Sequence, residues 1–251
     1  MNLPIALLAM VSGYLLGSIS FARLVTRVFA PEQDISRIEL EVPGSDARFE
    51  SDAISATSVR LHLGARYGCL TSILDILKAT VPALAFRLWQ PEQPYYLLAA
   101  GLAAVGHIWP VYYRFRGGRG MSPIMGGMLV VDWPGVVVTN VLGLLSDLAI
   151  KSTLVSSGVW LVLMIPWLWI RGYDWPELIY ATAMCVLFWT SMIPEWREIL
   201  RLRHEGQADE FQLAREVRVL TRRDGGTAQQ ISVSGLFAAV RSRLGRKDAE
   251  R

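Results

Sequence analysis

Cysteine is nearly absent: the 251 residues hold two. Cys69 and Cys185 lie far apart inside apolar segments, which excludes a disulfide framework or metal pair and leaves the expectation of free, buried thiols. Strong charge of either sign is also missing. The formal net charge is +3, and the basic residues form no stripe interleaved with aromatics, so no nucleic-acid partner is expected. No G-x-S-x-G motif occurs, which removes the Ser-His-Asp hydrolase built on that elbow. The N-terminus has no Lys or Arg before its apolar run and no small-residue cleavage site, so it reads as a retained first span, not a removed signal peptide.

What is abundant is apolar. Hydrophobic residues make up 52% of the chain, and the charged ones crowd into a few stretches, which makes the bilayer the expected solvent for most of the chain. A helix needs about 20 apolar residues to cross the hydrocarbon core. Runs of that order extend from Leu3 to Val28, Tyr67 to Leu88, Tyr95 to Tyr113, Thr153 to Ile170 and Trp175 to Ile193. The stretch from Gly120 to Ile150 is too long for one span and is interrupted at Asp132-Trp133-Pro134, where proline removes a helical hydrogen bond. Splitting it gives an all-α membrane protein of about seven transmembrane helices.

Lys and Arg accumulate in cytoplasmic loops. With the N-terminus outside, the inner loops hold Arg37, Arg48, Arg60, Arg66, Arg114, Arg116, Arg119 and Lys151, and the tail holds Arg197, Arg201 and Arg203. The outer loops, 90–94, 132–134 and 172–174, hold none. The expected topology is therefore N-out and C-in, in a multi-pass protein of the inner or plasma membrane. It has a transmembrane domain over 1–193 and a cytoplasmic charged tail over 194–251.

The polar segment from Ala30 to Ala65 shows neither helical nor alternating periodicity over most of its length, with a turn signal at Pro43-Gly44. In the tail, Trp196 to Val219 has helical spacing, Asp224-Gly225-Gly226 is a break, and Leu236 to Leu244 has the pattern of a short basic amphipathic helix lying on anionic lipid.

The stretch richest in chemistry is Gly106 to Gly120, GHIWPVYYRFRGGRG. Gly117, Gly118 and Gly120 let backbone amides approach an anion, Arg116 and Arg119 supply charge and forked donors, and Ser122-Pro123 read as a helix N-cap and first helical position. Phosphate at a helix N-terminus is the natural ligand; an ordinary basic loop with a glycine turn is the other reading. His107 lies in the preceding apolar helix, where ionisable groups tend to be functional.

These residues resemble a known family. GHIWPVYYRFRGGRG is similar to the motif GH-x-[FW]-P-V-x-x-x-F-K-G-G-K-G of the bacterial acyl-phosphate:glycerol-3-phosphate acyltransferases (PlsY type), with Arg116 and Arg119 in place of both lysines. Gly17 to Phe21 resembles G-S-I-P-[FT]-G, Ser51 to Gly64 resembles S-G-N-I-G-A-T-N-V-x-R-x-x-G, and Leu74 to Lys78 resembles L-D-x-x-K-G. The resemblance implies transfer of a fatty acyl group from acyl phosphate to the 1-hydroxyl of glycerol 3-phosphate at the cytoplasmic side. The products would be lysophosphatidic acid and inorganic phosphate, in phospholipid biosynthesis, with no metal or cofactor and with membrane lipids as surroundings. It implies catalytic roles for His107, Arg119 and Ser51. Binding of substrate or phosphate would fall to Ser18, Thr57, Ser58, Arg60, Arg116, Gly117, Gly118, Gly120 and Thr153.

The chain also departs from that pattern. Asp52, Ala53, Ser55 and Ser58 stand at glycine and asparagine positions, and Leu61 stands where the family has arginine. A carboxylate at Asp52 repels a phosphate unless an arginine pairs with it. The family's H-x-x-N-I-x-R-L is replaced by Ile193 to Leu200, IPEWREIL. The alternative reading is therefore a catalytically degenerate paralogue that binds a lipid phosphate or acyl phosphate. A transporter would instead need broken helices around a midplane site. His204 and Asp209 match the His-x4-Asp signature of another acyltransferase class, but in a polar tail this is a chance match.

Overall fold

The structure, a computed structural model, describes residues 2–36, 38–41, 48–150, 153–204, 221–223 and 226–228. It is mostly helical. Four stretches are long and apolar enough to cross a membrane: Leu3–Phe29, Ala65–Trp89, Met121–Ser146 and Trp175–Arg201, with Gly158–Ile170 a shorter apolar helix.

The first stretch is two helices, not one. α1 (Leu3–Gly17) stops at Ser18 and α2 (Phe21–Phe29) starts after Ser20, whose hydroxyl accepts from the Arg23 amide. α4 (Ala65–Trp89) is continuous and carries Pro82 inside it. It turns Ile73, Leu77, Val81 and Leu88 outward while Asp75 and Lys78 are buried. That is the reverse of a water-soluble helix and suits a lipid exterior.

α5 (Tyr95–Ile108) is the innermost element, buried along most of its length and packed against α1, α4, α6 (Met121–Ile150) and α8 (Trp175–Ser191). The expected span to Tyr113 is cut short because Trp109 precedes Pro110, a position that disfavours helix. Trp109 is extended at φ −122°, ψ 72°, and a 3₁₀ turn over Val111–Tyr113 follows. At Gly13 and Gly17 on α1, an added Cβ would sit 2.2 Å from the carbonyl oxygens of Ala99 and Ala103. Small residues four apart on both helices let the backbones approach, as membrane helix pairs require.

α6 runs over 30 residues with a break at Asp132 (φ −151°, ψ 91°), where the sequence places its interruption. The Asp132 carboxylate is buried and accepts from Trp167 Nε1 at 2.8 Å. α7 (Thr153–Ile170) packs along α6 and α8, and Leu161, Met164, Leu168, Phe188 and Met128 close that core.

The polar segment is more ordered than its periodicity indicates. β1 (Ile38–Glu41) pairs antiparallel with β2 (Arg48–Ser51), and α3 (Ala56–Leu63) follows. The Pro43-Gly44 turn lies outside the described residues. A four-residue hairpin arm is too short for alternation to stand out. α9 (Ile193–His204) packs on β2. The expected tail helix is described only as far as His204. β3 (Thr221–Arg223) and β4 (Gly226–Ala228) pair beyond it around the predicted break; Asp209 and Leu236 to Leu244 lie outside the described residues. Both cysteines are free, but neither is fully buried and Cys69 is exposed.

Candidate active site

Three distant segments meet around one guanidinium. Arg119, in the turn before α6, donates from Nε to Glu195 Oε1 at 2.6 Å, and its Nη2 lies 2.5 Å from the same oxygen and 3.1 Å from Asp52 Oδ1. Ser51, at the end of β2, donates to Glu195 Oε1 at 2.9 Å and accepts from the Ala53 amide at 3.3 Å. Ser191, at the end of α8, donates to the Arg119 carbonyl at 2.9 Å. The two carboxylates are unequal partners. The Glu195 side chain is 7% exposed and that of Asp52 78%, so solvent screens the second pair to about 0–1 kcal/mol. Glu195 dominates Arg119.

Next to this cluster, the Gly118 amide donates to the His107 carbonyl at 3.1 Å, and the Ile54 amide donates to the Gly117 carbonyl at 3.0 Å. A Cβ on Gly118 would lie 2.3 Å from His107 Nε2, and one on Gly117 2.0 Å from His107 O. These glycines let the loop fold directly onto the imidazole. Gly120, at φ +84°, turns the chain into α6. That helix begins at Met121, one residue ahead of the expected Ser122 cap; Ser122 Oγ instead meets Ser72 Oγ at 3.2 Å.

His107 is buried among ionisable partners. Its Nδ1 lies 2.8 Å from Lys78 Nζ and 3.5 Å from Asp75 Oδ1; Lys78 Nζ also lies 2.8 Å from Asp75 Oδ1 and donates to the Ile19 carbonyl at 2.8 Å.

The other predicted residues are placed differently. Ser58 is buried and its hydroxyl serves the first turn of α3, accepting from the Ser55 amide and donating to the Ala53 carbonyl. Thr57 is exposed in the same turn, its amide donating to Ser55 Oγ. Arg60 is exposed on α3 and stands over Gly68 of α4. Ser18 donates to the Tyr14 carbonyl at 2.8 Å and accepts from the Val111 amide, tying α1 to the turn after α5. Arg116 is exposed, and its carbonyl accepts from Arg23, whose guanidinium stacks on Tyr113 at 4.4 Å. Thr153 opens α7, with its side chain outside the described residues. The structure thus gathers Ser51, Arg119, Gly117, Gly118 and His107, and leaves Thr57, Arg60 and Arg116 on the surface.

Sequence reasoning missed Glu195, Ser191 and Arg23. Glu195 lies 76 residues from Arg119, in a segment that reads as the start of a polar tail. Its one signal is a carboxylate directly after an apolar run, on the same side as the Gly-Arg loop.

The chain is similar to known proteins in sequence and in fold. The family model described as glycerol-3-phosphate acyltransferase matches residues 7–204. The glycerol-3-phosphate acyltransferase of Bradyrhizobium diazoefficiens is 34% identical over 190 residues, 74% of this chain and 86% of the relative. That of Rhodopseudomonas palustris (strain BisB5) is 31% identical over 182 residues, 72% of this chain and 86% of the relative. Among solved structures, PlsY (YgiH), an integral membrane glycerol 3-phosphate acyltransferase, superposes in its lysophosphatidic acid form with a TM-score of 0.64. The two chains are 24% identical, over 80% of this chain and 93% of that one. Its glycerol 3-phosphate form superposes with a TM-score of 0.63.

Proposed function

Because this chain belongs to the glycerol-3-phosphate acyltransferase family, we propose that it moves a fatty acyl group from acyl phosphate to the 1-hydroxyl of glycerol 3-phosphate. The products are lysophosphatidic acid and inorganic phosphate. The observation that carries the reading is the meeting of Arg119, Ser51 and the Gly117-Gly118 loop at one end of the helix bundle.

The reaction asks little beyond positioning and charge neutralisation, because acyl phosphate already carries a good leaving group. Arg119 faces its carboxylates with Nε and Nη2, and its remaining N–H donors take phosphate oxygens. Gly117, Gly118 and Gly120 keep backbone near the anion, with Arg116 and Arg60 adding charge at the rim. Thr57 supplies a hydroxyl donor, with Ser58 fixing the turn that presents it, and Ser51 gives its one hydrogen to Glu195 and so holds the carboxylate opposite Arg119. His107 shapes the site through Gly118, Ser18 holds the turn before the loop, and Thr153 stands at the mouth of α7. No cofactor takes part. About seven spans with the N-terminus outside put this end on the cytoplasmic face of the inner or plasma membrane, where the basic loops gather. Residues 1–193 form the membrane domain and 194–251 extend from it on the same face.

The test is incubation of detergent-purified protein with palmitoyl phosphate and glycerol 3-phosphate, following lysophosphatidate and phosphate. Turnover no higher than in Arg119→Ala would end the proposal. A second reading, a binder that has lost catalysis, is favoured by one observation: two carboxylates already occupy Arg119. It predicts acyl-phosphate binding without product.

A further inference from the structure

Arg23 grips the Gly-Arg loop at two points, and the backbone between those points is strained. Its guanidinium lies over the Tyr113 ring at 4.4 Å, and its Nη2 donates to the Arg116 carbonyl at 2.9 Å. Between the two lie Arg114 and Phe115, both left-handed, at φ +53° and φ +60°. In that region the Cβ of an L-residue crowds the following carbonyl, so residues other than glycine enter it singly and seldom. Two in succession persist only where their surroundings hold them. The loop backbone supplies part of that hold: the Tyr113 and Phe115 amides donate to the Pro110 carbonyl, and the Arg116 amide donates to that of Tyr113. Arg23 supplies another part from α2, a helix seated by buried Ala22, Val25 and Thr26.

We infer that Arg23 is a positioning residue for the phosphate seat: by clamping the left-handed pair it fixes the plane of the Arg116-Gly117 peptide. This rests on the acyltransferase reading and adds to it the side chain that sets the shape of the loop. A trans peptide is planar, and its C=O and N–H point in opposite directions. With the Arg116 oxygen drawn to Arg23, the Gly117 amide hydrogen faces the other way, and it has no acceptor among the described residues. An open amide in a loop of left-handed turns is a donor for a phosphate oxygen. The next peptide has its own holds, since the Gly117 carbonyl accepts from the Ile54 amide and the Gly118 amide donates to the His107 carbonyl. Without Arg23 the left-handed pair relaxes, and the Arg116-Gly117 peptide turns its donor out of the seat.

The consequence lies in substrate affinity and not in the chemical step. Arg23→Ala raises KM for glycerol 3-phosphate about tenfold, the scale of one hydrogen bond to a charged group. Binding lost equally from ground state and transition state leaves kcat level. Arg23→Lys keeps a donor for the Arg116 carbonyl but loses the planar stack on Tyr113, and falls between. Glycine enters the left-handed region without a Cβ clash, so Arg114→Gly makes the clamp dispensable. Arg23→Ala combined with Arg114→Gly therefore recovers most of the wild-type KM. Arg23→Ala combined with Arg114→Gln loses the same charge, keeps the strain and recovers nothing. A residue that only braced the fold would lower the melting temperature and leave KM unmoved.

Wild type, Arg23→Ala, Arg23→Lys and the two double variants are compared in detergent. Three quantities are read: kcat, KM for glycerol 3-phosphate at saturating palmitoyl phosphate, and the rise in melting temperature caused by inorganic phosphate. The expected result is a raised KM and a smaller phosphate-induced rise in Arg23→Ala, both restored by glycine at position 114 and not by glutamine. If Arg23→Ala does not fold, Arg23→Lys carries the test with its own Arg114→Gly and Arg114→Gln doubles. A folded variant with KM within about twofold of wild type overturns the role; so does a fall in kcat alone, or equal KM in the glycine and glutamine doubles. An active wild type with Arg23→Ala unaltered ends this role alone. An inactive wild type ends the acyltransferase reading, and the phosphate-induced rise then decides the role by the same comparisons; an inactive wild type without that rise ends both.

Discussion

Two ionic clusters lie in this molecule, and they are built differently. Asp75, Lys78 and His107 sit inside the bundle between α4 and α5, all buried, with the ammonium also held by the Ile19 carbonyl. Arg119, Glu195, Asp52 and Ser51 sit where β2, the Gly-Arg loop and α9 meet, with one carboxylate buried and the other in solvent. The first cluster is closed on itself and serves the fold. The second reaches the surface through the exposed Asp52 carboxylate. His107 links them: it belongs to the first and underlies Gly118 beside the second.

Breaking the closed cluster has the largest expected effect. Asp75→Ala leaves the Lys78 ammonium buried without its counter-charge and costs about 3–5 kcal/mol, read as a large drop in melting temperature in detergent and loss of folded yield. Arg119→Ala, by contrast, leaves the melting temperature close to wild type but lowers acyl transfer about 100- to 1000-fold, the scale of losing one charge-stabilising donor. Gly118→Ala tests the bridge between the clusters. Its Cβ would meet His107 Nε2 at 2.3 Å, so it costs about 1–3 kcal/mol of stability by overpacking, with a fall in activity that a Gly117→Ser control at the same loop would share. The smallest effect belongs to the exposed partner. Asp52→Asn shifts stability by no more than about 0.5 kcal/mol. It lowers KM for glycerol 3-phosphate a few-fold in low salt, with the difference fading as salt rises; an unchanged KM would show that Asp52 does not modulate the anion seat.

Much of this was readable before any coordinates. The four long apolar stretches follow from runs of apolar residues, and the interruption at Asp132-Trp133-Pro134 follows from proline chemistry. Gly117, Gly118, Arg119 and Ser51 stood out because glycine next to arginine, and serine in a recognisable motif, carry their meaning locally. The split between α1 and α2 was hidden, since Gly17 to Ser20 are too small and apolar in context to register as a break. The β1–β2 hairpin was hidden by its short arms. Asp52 was readable as a residue needing an arginine partner, and Arg119 is that partner.

Composition and local spacing settle the membrane class, the polar segments and the Gly-Arg loop, because each depends on residues within a turn or two of one another. Which carboxylate faces which guanidinium depends on how α9 returns across β2, 144 residues after Ser51. The sequence carries no marker for that. Glu195 is drawn out of water by packing, and burial is a property of the assembled bundle.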